Sequence, residues 1–374
     1  MKLLHTADWH LGKTLKGQPL IEDQSHILKQ ILEIADNQKV DAVLIAGDVY
    51  DRGVPPVDAV ELFDETLTKL AERKIPVLII AGNHDSATRL SFGSKLFEAR
   101  GIHIASKVDK PAQVVLTDDF GEVYFTLIPY FEPGEIHWKF FDKDSERLTY
   151  NAANKFYVDS ARIGIPAGKR SVAMAHVFLT GGVETESERK FVGGTANVDA
   201  QIFAGYNYVA LGHLHRPQRI TADHIRYAGS PLKYSFDEAN HKKSVTLVEL
   251  DGKGTAKADK IDLTPRRDVR LLTGTLEDLL RNDRTEDYIC ARITKREINA
   301  ADKLSFIFPN LLSVEFDLPQ DVSAGDEATF DAGGSIADYF ADFFKAQTGE
   351  TLSDDYREAM VEFLSELAAS DREA

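Results

Sequence analysis

The sequence predicts an α/β protein in which a strand-rich core flanked by helices precedes a small α+β unit and a C-terminal helix pair. Three observations predict it. Short apolar runs alternate with amphipathic stretches through the first hundred residues, the pattern of βαβ units. Runs of β character close this first region near Pro265. Beyond it, strand and helix signals alternate from Arg270 to Leu318, and two helical apolar stripes follow a glycine joint at Gly333-Gly334.

Taken in order, Lys2 to Thr6, Ala42 to Ala46 and Val77 to Ala81 are continuous apolar runs too short for helices, and they read as buried strands. Glu22 to Gln38 and Val57 to Arg73 carry apolar residues at helical spacing and read as the helices between them. Val114 to Pro129 reads as a hairpin, and Ser171 to Val177, Tyr208 to Leu211, Ile225 to Ala228 and Ser244 to Leu250 as further strands. In the next region Leu271 to Gly274, Tyr288 to Thr294 and Leu312 to Leu318 read as strands, with helices at Leu276 to Leu280 and Asp302 to Phe306. Ile336, Tyr339, Phe340, Phe343 and Phe344, then Leu352, Tyr356, Met360, Phe363, Leu364 and Leu367, keep helical spacing with Gly349 in the break. The expected domains are therefore 1–265, 266–320 and 333–374.

Composition narrows the class. The 374 residues are 43% hydrophobic and 28% charged, with 25 Gly, 13 Pro and no low-complexity tract, which excludes disordered and fibrous folds. Apolar runs such as Val77 to Ala81 fall far short of the roughly 20 residues of a membrane helix. The opening Met1 to Asp8 places His and Asp where a secretory leader needs an apolar stretch, and Cys290 is the only cysteine. Both facts point to a reducing cytoplasm, and one cysteine allows no intramolecular disulfide. Net charge is −16, which by itself argues against a phosphate-rich partner. From Asp321 to Ala374, however, 14 acidic residues face three basic ones, a net −11 that leaves −5 over the first 320. The acidity belongs to the tail, and charge neither excludes nor supports DNA as a partner.

Five short motifs carry the chemistry, four of them directly after an expected strand. They are Asp8-Trp9-His10, Gly47-Asp48-Val49-Tyr50-Asp51, Gly82-Asn83-His84-Asp85, His176 after Val172 to Ala175, and Gly212-His213-Leu214-His215. Singly each has a plain structural use: Asp-x-His as a loop former, Gly-Asp as a helix-capping turn, Gly-Asn-His-Asp as a left-handed turn, Gly-His-x-His as a surface turn. Jointly they converge, because ligands in open α/β sheets gather beyond the carboxyl ends of the strands. Carboxylate, imidazole and amide oxygen together suit Mn²⁺, Fe²⁺ or Zn²⁺ rather than an all-oxygen Ca²⁺ site. A carboxylate such as Asp48 can bridge two ions at roughly 3.5–4 Å, the separation of two-metal phosphoryl-transfer sites.

This order of motifs resembles the calcineurin-like metallophosphoesterases, whose signature is Asp-x-His, Gly-Asp-x-x-Asp, Gly-Asn-His-Asp/Glu, a single His and Gly-His-x-His, over residues 1 to about 250. His5 to Gly12, Tyr227 to Leu232 and Ser235 to Glu238 are similar to one branch of that family, the bacterial nuclease subunits that process DNA double-strand breaks with an SMC-like ATPase. The resemblance implies a β-sandwich core flanked by helices, then a capping domain and ATPase-binding helices. It implies two Mn²⁺ or other divalent transition-metal ions, one held by Asp8, His10, Asp48 and His215, the other by Asp48, Asn83, His176 and His213. It further implies that His84 faces the leaving oxygen as proton donor or charge stabiliser, with Asp51 hydrogen-bonded to it. Some relatives carry His where this chain has Asp51. The implied activity is 3′ to 5′ degradation of duplex ends together with cleavage of single strands and hairpins. The implied assembly is a homodimer, through helices near Val57 to Arg73 and Arg89 to Glu98, within a heterotetramer carrying two ATPase subunits. The alternatives are a phosphatase or small phosphodiesterase on the same core, and a non-hydrolytic scaffold, against which the intact ligand set weighs.

Other conspicuous residues receive no role in catalysis. Arg52 extends the second motif to Gly-Asp-x-x-Asp-Arg-Gly, as in Ser/Thr phosphatases, but the third motif ends in Asp85 rather than their Glu. Lys139, Lys143, Arg147 and Lys155 interleave with Trp138, Phe140, Phe141, Tyr150, Phe156 and Tyr157, a mixture that suits either nucleic acid or the insert's own core. His26, His103, His137, His224 and His241 lie outside the motifs, and Cys290 reads as a small buried hydrophobe.

Overall fold

The computed structural model describes residues 1–317 without 110, 143, 189–196 and 296, and beyond them 340–341, 344–345, 351–353 and 356. The chain divides into two units, Met1–Asp317 and Leu318–Ala374. The expected helices from Ile336 to Phe344 and from Leu352 to Leu367 lie largely outside the described residues.

Strand β1 (Lys2–Thr6) leads through the minimal hairpin β2 (Thr14–Leu15) and β3 (Gln18–Pro19) to helix α1 (Ile21–Gln38). Glu22 and Asp23 favour the start of α1, and Lys39 in the left-handed region ends it. β4 (Ala42–Ala46), α2 (Val57–Glu72), β5 (Val77–Ile80), α3 (Ala87–Leu90), α4 (Ser94–Glu98) and β6 (Ile102–Ala105) continue the alternation. The hairpin β7 (Ala112–Asp118) and β8 (Gly121–Ile128) precedes α5 (Pro133–Phe140), α6 (Tyr150–Arg162) and β9 (Arg170–His176). α5 begins at a capping box of Glu132 and Glu135 with Pro133 in its first turn. β10 (Tyr208–Gly212), β11 (Gln218–Ile220), β12 (Ala222–Tyr227), β13 (Ser244–Leu250) and β14 (Ala256–Asp262) follow.

These strands form two six-stranded sheets, ordered β14-β13-β1-β4-β5-β6 and β11-β12-β10-β9-β8-β7. In the first, β1, β4, β5 and β6 are parallel and β13 and β14 close one edge antiparallel; in the second, β8, β9, β10 and β12 are parallel. Both faces of the central strands are buried, and the pleat divides them. Leu3, Leu44, Leu78 and Ile80 meet Phe125, Leu127, Met174 and Tyr208 between the sheets. Leu4, Val43, Ile45 and Ile79 face outward against Ile27, Ile31, Phe63 and Leu67 of α1 and α2. Ala173, Val209 and Leu211 face Ala153, Tyr157 and Val158 of α6. A sheet buried on both sides explains why the sequence shows continuous apolar runs instead of alternation.

β15 (Val269–Gly274), α7 (Leu276–Leu280), β16 (Tyr288–Ile293), α8 (Ala300–Ser305) and β17 (Leu311–Phe316) make a parallel three-stranded sheet with its own core around Ile289, Ala291, Leu304 and Phe308. It is anchored to α1, where buried Asp23 accepts hydrogen bonds from Arg267 at 2.6 and 3.0 Å and from the Tyr288 hydroxyl at 2.8 Å. No strand or helix crosses position 265. In the aromatic insert, Phe156 packs on Phe140 and Phe141, and Phe141, Tyr150, Phe156 and Tyr157 join the core beneath the second sheet, while Trp138 remains exposed.

Candidate metal centre

β1, β4 and β5 of one sheet and β9 and β10 of the other run out at the same end of the sandwich, and each delivers part of the motif set. Asp8 and His10 follow β1, Asp48 follows β4, Asn83 follows β5, His176 ends β9, and His213 and His215 follow β10. The loops interleave: Asp8 N–H donates to Gly47 O at 3.0 Å and His10 N–H to Asp48 O at 3.0 Å. Gly47 (φ 92°) and Gly82 permit this approach, since a Cβ on Gly82 would lie 2.1 Å from Asp48 Oδ1. Asp8 (φ 53°), His10 (φ 44°), Asp48 (φ 47°) and His213 (φ 104°) all occupy the left-handed region. Four such non-glycine residues at one site are backbone strain concentrated where function lies.

The seven expected ligands come together, six of them fully enclosed. The Nε2 atoms of His10 and His215 are 3.0 Å apart, and His10 Nε2 lies 3.6 Å from Asp48 Oδ2. On the other side His176 Nε2 is 3.3 Å from Asp48 Oδ2 and 2.9 Å from Asn83 Oδ1, and His213 Nδ1 is 3.1 Å from the same amide oxygen. Two groups of possible ligand atoms result, His10 with Asp48 and His84, and Asp8 with Asp48 and His176. Asp48 belongs to both.

The donor chemistry fits divalent cations. His176 Nδ1 donates to Ala46 O at 2.9 Å, so a neutral His176 turns the bare Nε2 toward two oxygen acceptors. Asp8 Oδ2 is buried with no hydrogen-bond partner among the described residues. Lone pairs converging without donors need a positive charge among them. Burial lowers the imidazoles of His10 and His213 to about 3, which leaves both neutral. At His176 burial acts the same way but the Asp48 carboxylate outweighs it, raising the imidazole to about 9; a proton there plays the part a cation takes. Burial pushes the Asp8 carboxyl well above its ordinary value. At Asp48, burial is outweighed by His176 and His10, which hold the carboxyl well below its own.

The surroundings depart from expectation at Asp51. The residue pair is as expected, but His84 Nδ1 bonds the main-chain oxygen of Asp51 at 2.8 Å, while the Asp51 carboxylate accepts from Lys13 Nζ at 2.8 Å and lies 3.5 Å from His10 Nδ1. His84 N–H donates to Asp48 Oδ1 at 2.8 Å, and its ring stands edge-on to that of His10. Asp85, the last residue of its motif, accepts from Gly82 N at 2.9 Å, Val49 N at 3.1 Å and Tyr50 N at 2.9 Å, clamping two ligand loops together. Burial, with Asp48 beside it, raises its carboxyl to about 7. Sequence reasoning did not find Gln24, whose amide donates to His10 O at 2.7 Å, nor Ser187, Glu188, Glu238 and Lys243 around His215. Glu238 alone lay inside a recognisable motif. Arg52 is exposed.

Residues 1–217 match the family description calcineurin-like phosphoesterase. The SbcD component of the SbcCD nuclease of Staphylococcus epidermidis is 34% identical over 325 residues, covering 84% of this chain and 85% of that protein. The SbcD component of the same nuclease in Staphylococcus saprophyticus is 35% identical over 327 residues, 84% of each chain. A dimetal phosphatase structure from Danio rerio is 13% identical and covers 71% of this chain and 99% of that one, with a TM-score of 0.41.

Proposed function

The chain belongs to the calcineurin-like phosphoesterases, as a metal-dependent phosphodiesterase, and on that premise we propose that it is the DNA nuclease subunit of a complex with an SbcC-type SMC-like ATPase. The observation that carries the reading is the gathering of seven side chains, Asp48 at their centre, from five strand ends. The two staphylococcal relatives, both components of an SbcCD nuclease, support DNA as substrate and the ATPase as partner. Within this reading the activity is Mn²⁺-dependent, 3′ to 5′ on duplex ends and endonucleolytic on single strands and hairpins. It serves end processing, recombination and repair in the cytoplasm.

Two divalent ions, when bound, neutralise charge on the scissile phosphate and activate water. Asp8, His10, Asp48 and His215 would hold one, and Asp48, Asn83, His176 and His213 the other. His84 keeps its Nε2 available by engaging Nδ1 with Asp51 O, and it delivers a proton to the leaving oxygen. Asp51 acts through its carboxylate on Lys13 and His10. Residues 1–265 form the nuclease domain, 266–320 the capping domain and 333–374 the ATPase-binding helices. Exposed Val57 and Val60 on α2 and Phe92 and Leu96 near α4 support a homodimer through this surface. Among the described residues no helix is long and apolar enough to cross a membrane.

The test is an assay of the purified chain with Mn²⁺ on linear duplex, single-stranded DNA and a phosphomonoester. Cleavage of both DNAs is expected. Turnover of the monoester alone would make the protein a phosphatase, and turnover of none a scaffold.

A further inference from the structure

His215 is gripped on its outer side by residues from stretches of chain that no metal motif covers. Its N–H donates to Glu188 Oε1 at 2.6 Å and its carbonyl accepts from Lys243 Nζ at 2.9 Å. Its Nδ1 lies 2.6 Å from Ser187 Oγ, and Ser187 Oγ in turn bonds Glu238 Oε1. Glu238 is fully enclosed and meets donors: Lys243 Nζ at one oxygen, and at the other Ser187 Oγ and the Tyr234 N–H at 3.3 Å, while Ser235 Oγ, 3.1 Å away, gives its own proton to Asp237 Oδ1.

The directions of these bonds follow from the inventory of protons. A carboxylate facing an ammonium group and further donors accepts and does not donate, so the single hydroxyl proton of Ser187 goes to Glu238. Ser187 Oγ then has only lone pairs left for His215 and for Thr185 Oγ1, which is 3.1 Å away. His215 Nδ1 must therefore carry the ring proton. Its Nε2 is left bare, pointing at His10 Nε2 at 3.0 Å.

We propose that Ser187 and Glu238 are positioning residues, a carboxylate–hydroxyl–imidazole relay that fixes His215 in the tautomer able to bind metal through Nε2. The inference rests on the reading above in which His215 is a metal ligand. It assigns two residues to a task usually given to a carboxylate or carbonyl in direct contact with the ring. The interposed hydroxyl sets the ring plane by a short bond, while the charge of Glu238 stays 3.5 Å from Nδ1.

Ser187 is half-buried in a turn, so Ser187→Ala keeps the fold, which an unchanged melting temperature checks. Two measurements on the full chain then decide. In the metal-free protein, with histidines labelled by ¹⁵N, His215 is expected as the single Nδ1–H tautomer, and as a mixture of tautomers in Ser187→Ala. In calorimetric Mn²⁺ titration, Ser187→Ala is expected to weaken one of two sites by about 10- to 100-fold and spare the other. Ser187→Thr, which restores the hydroxyl, should restore both signals. An unchanged tautomer and unchanged Mn²⁺ affinities in Ser187→Ala would overturn the relay. His215→Ala separates this from failure of the premise: if it loses a site that Ser187→Ala keeps, only the relay is wrong, and if it keeps both sites, His215 is no ligand.

Discussion

His84 Nδ1 lies 2.8 Å from the main-chain oxygen of Asp51, so the orientation of the proposed proton donor is independent of the Asp51 side chain. Asp51→Ala should accordingly leave His84 in place. Its effect falls on His10 and Lys13, with Mn²⁺ affinity lowered by about 10- to 100-fold and kcat at saturating Mn²⁺ nearly unchanged. His84→Ala should do the reverse, lowering kcat by about 10²–10⁴ with two ions still bound. Calorimetric titration beside single-strand cleavage assays distinguishes them, and loss of an ion in His84→Ala would make His84 a ligand.

Asp48 lies within reach of both ligand groups, whereas Asn83 faces His176 and His213. Asp48→Ala should deplete both metal positions and Asn83→Ala mainly one. Anomalous scattering from Mn²⁺-soaked crystals of the two variants checks this, and equal occupancies would contradict a bridging Asp48.

Asp118 joins the two sheets: Arg170 of its own sheet donates to it at 2.9 Å, and the Met1 ammonium, bonded to Leu250 O within the other sheet, lies 2.7 Å from it across the sandwich. The Arg170 hydrogen bonds hold its carboxyl well below the ordinary 3.8. A depressed pKa means that the unfolded chain takes up protons first, so this stabilisation is complete above about pH 4 and is lost as pH falls below it. Asp118→Asn should lower stability at neutral pH by about 1.5–3 kcal/mol. Urea unfolding at pH 3, 4 and 7 should show the gap between the two proteins closing toward acid, and a gap constant over that range would refute the link.

Deleting Ser335 to Ala374 should spare Mn²⁺-dependent cleavage of single strands, because every proposed ligand lies upstream of residue 216. It should abolish stable association with the ATPase and any ATP-stimulated activity. Added salt should weaken the association of the intact chain as well, exposed charge being screened over about 8–10 Å. Undiminished co-purification of the truncated chain would show that docking occurs elsewhere.

Much of this architecture was legible because buried parallel strands leave an unmistakable trace. Lys2–Thr6, Ala42–Ala46 and Ser244–Leu250 have the bounds their apolar runs suggest, and each of the five motifs stands at the end of a strand, where the topology gathers side chains. The pairings themselves were not legible. That β14 doubles the sheet edge beside β13 depends on a strand of alternating charge, Ala256–Asp262, which has no apolar run to announce it. The outer supports of the site escaped for a related reason. Ser187 and Glu238 are 51 residues apart and meet only because both fold against His215, and nothing in the local spacing of a serine and a glutamate marks such a meeting. At Asp51 the motif named the right neighbour for His84 and the wrong atom, since a carbonyl that every residue carries leaves no mark on side-chain identity.

The place of β1 in its sheet also bears on how the protein is made. β1 carries the loop of Asp8 and His10, yet it lies between β4 and β13, and β13 begins only at Ser244. At translation rates of about 5–20 residues per second, β1 waits roughly 10–50 s for that partner to be synthesised. During the interval a nascent chain offers an unpaired strand edge, and until residue 215 is made it also lacks part of the set of histidines and carboxylates. The strand that seals the sheet therefore begins 29 residues after His215, the last of the proposed ligands, so the full set of site residues exists in the chain before the sheet beneath Asp8 and His10 is closed.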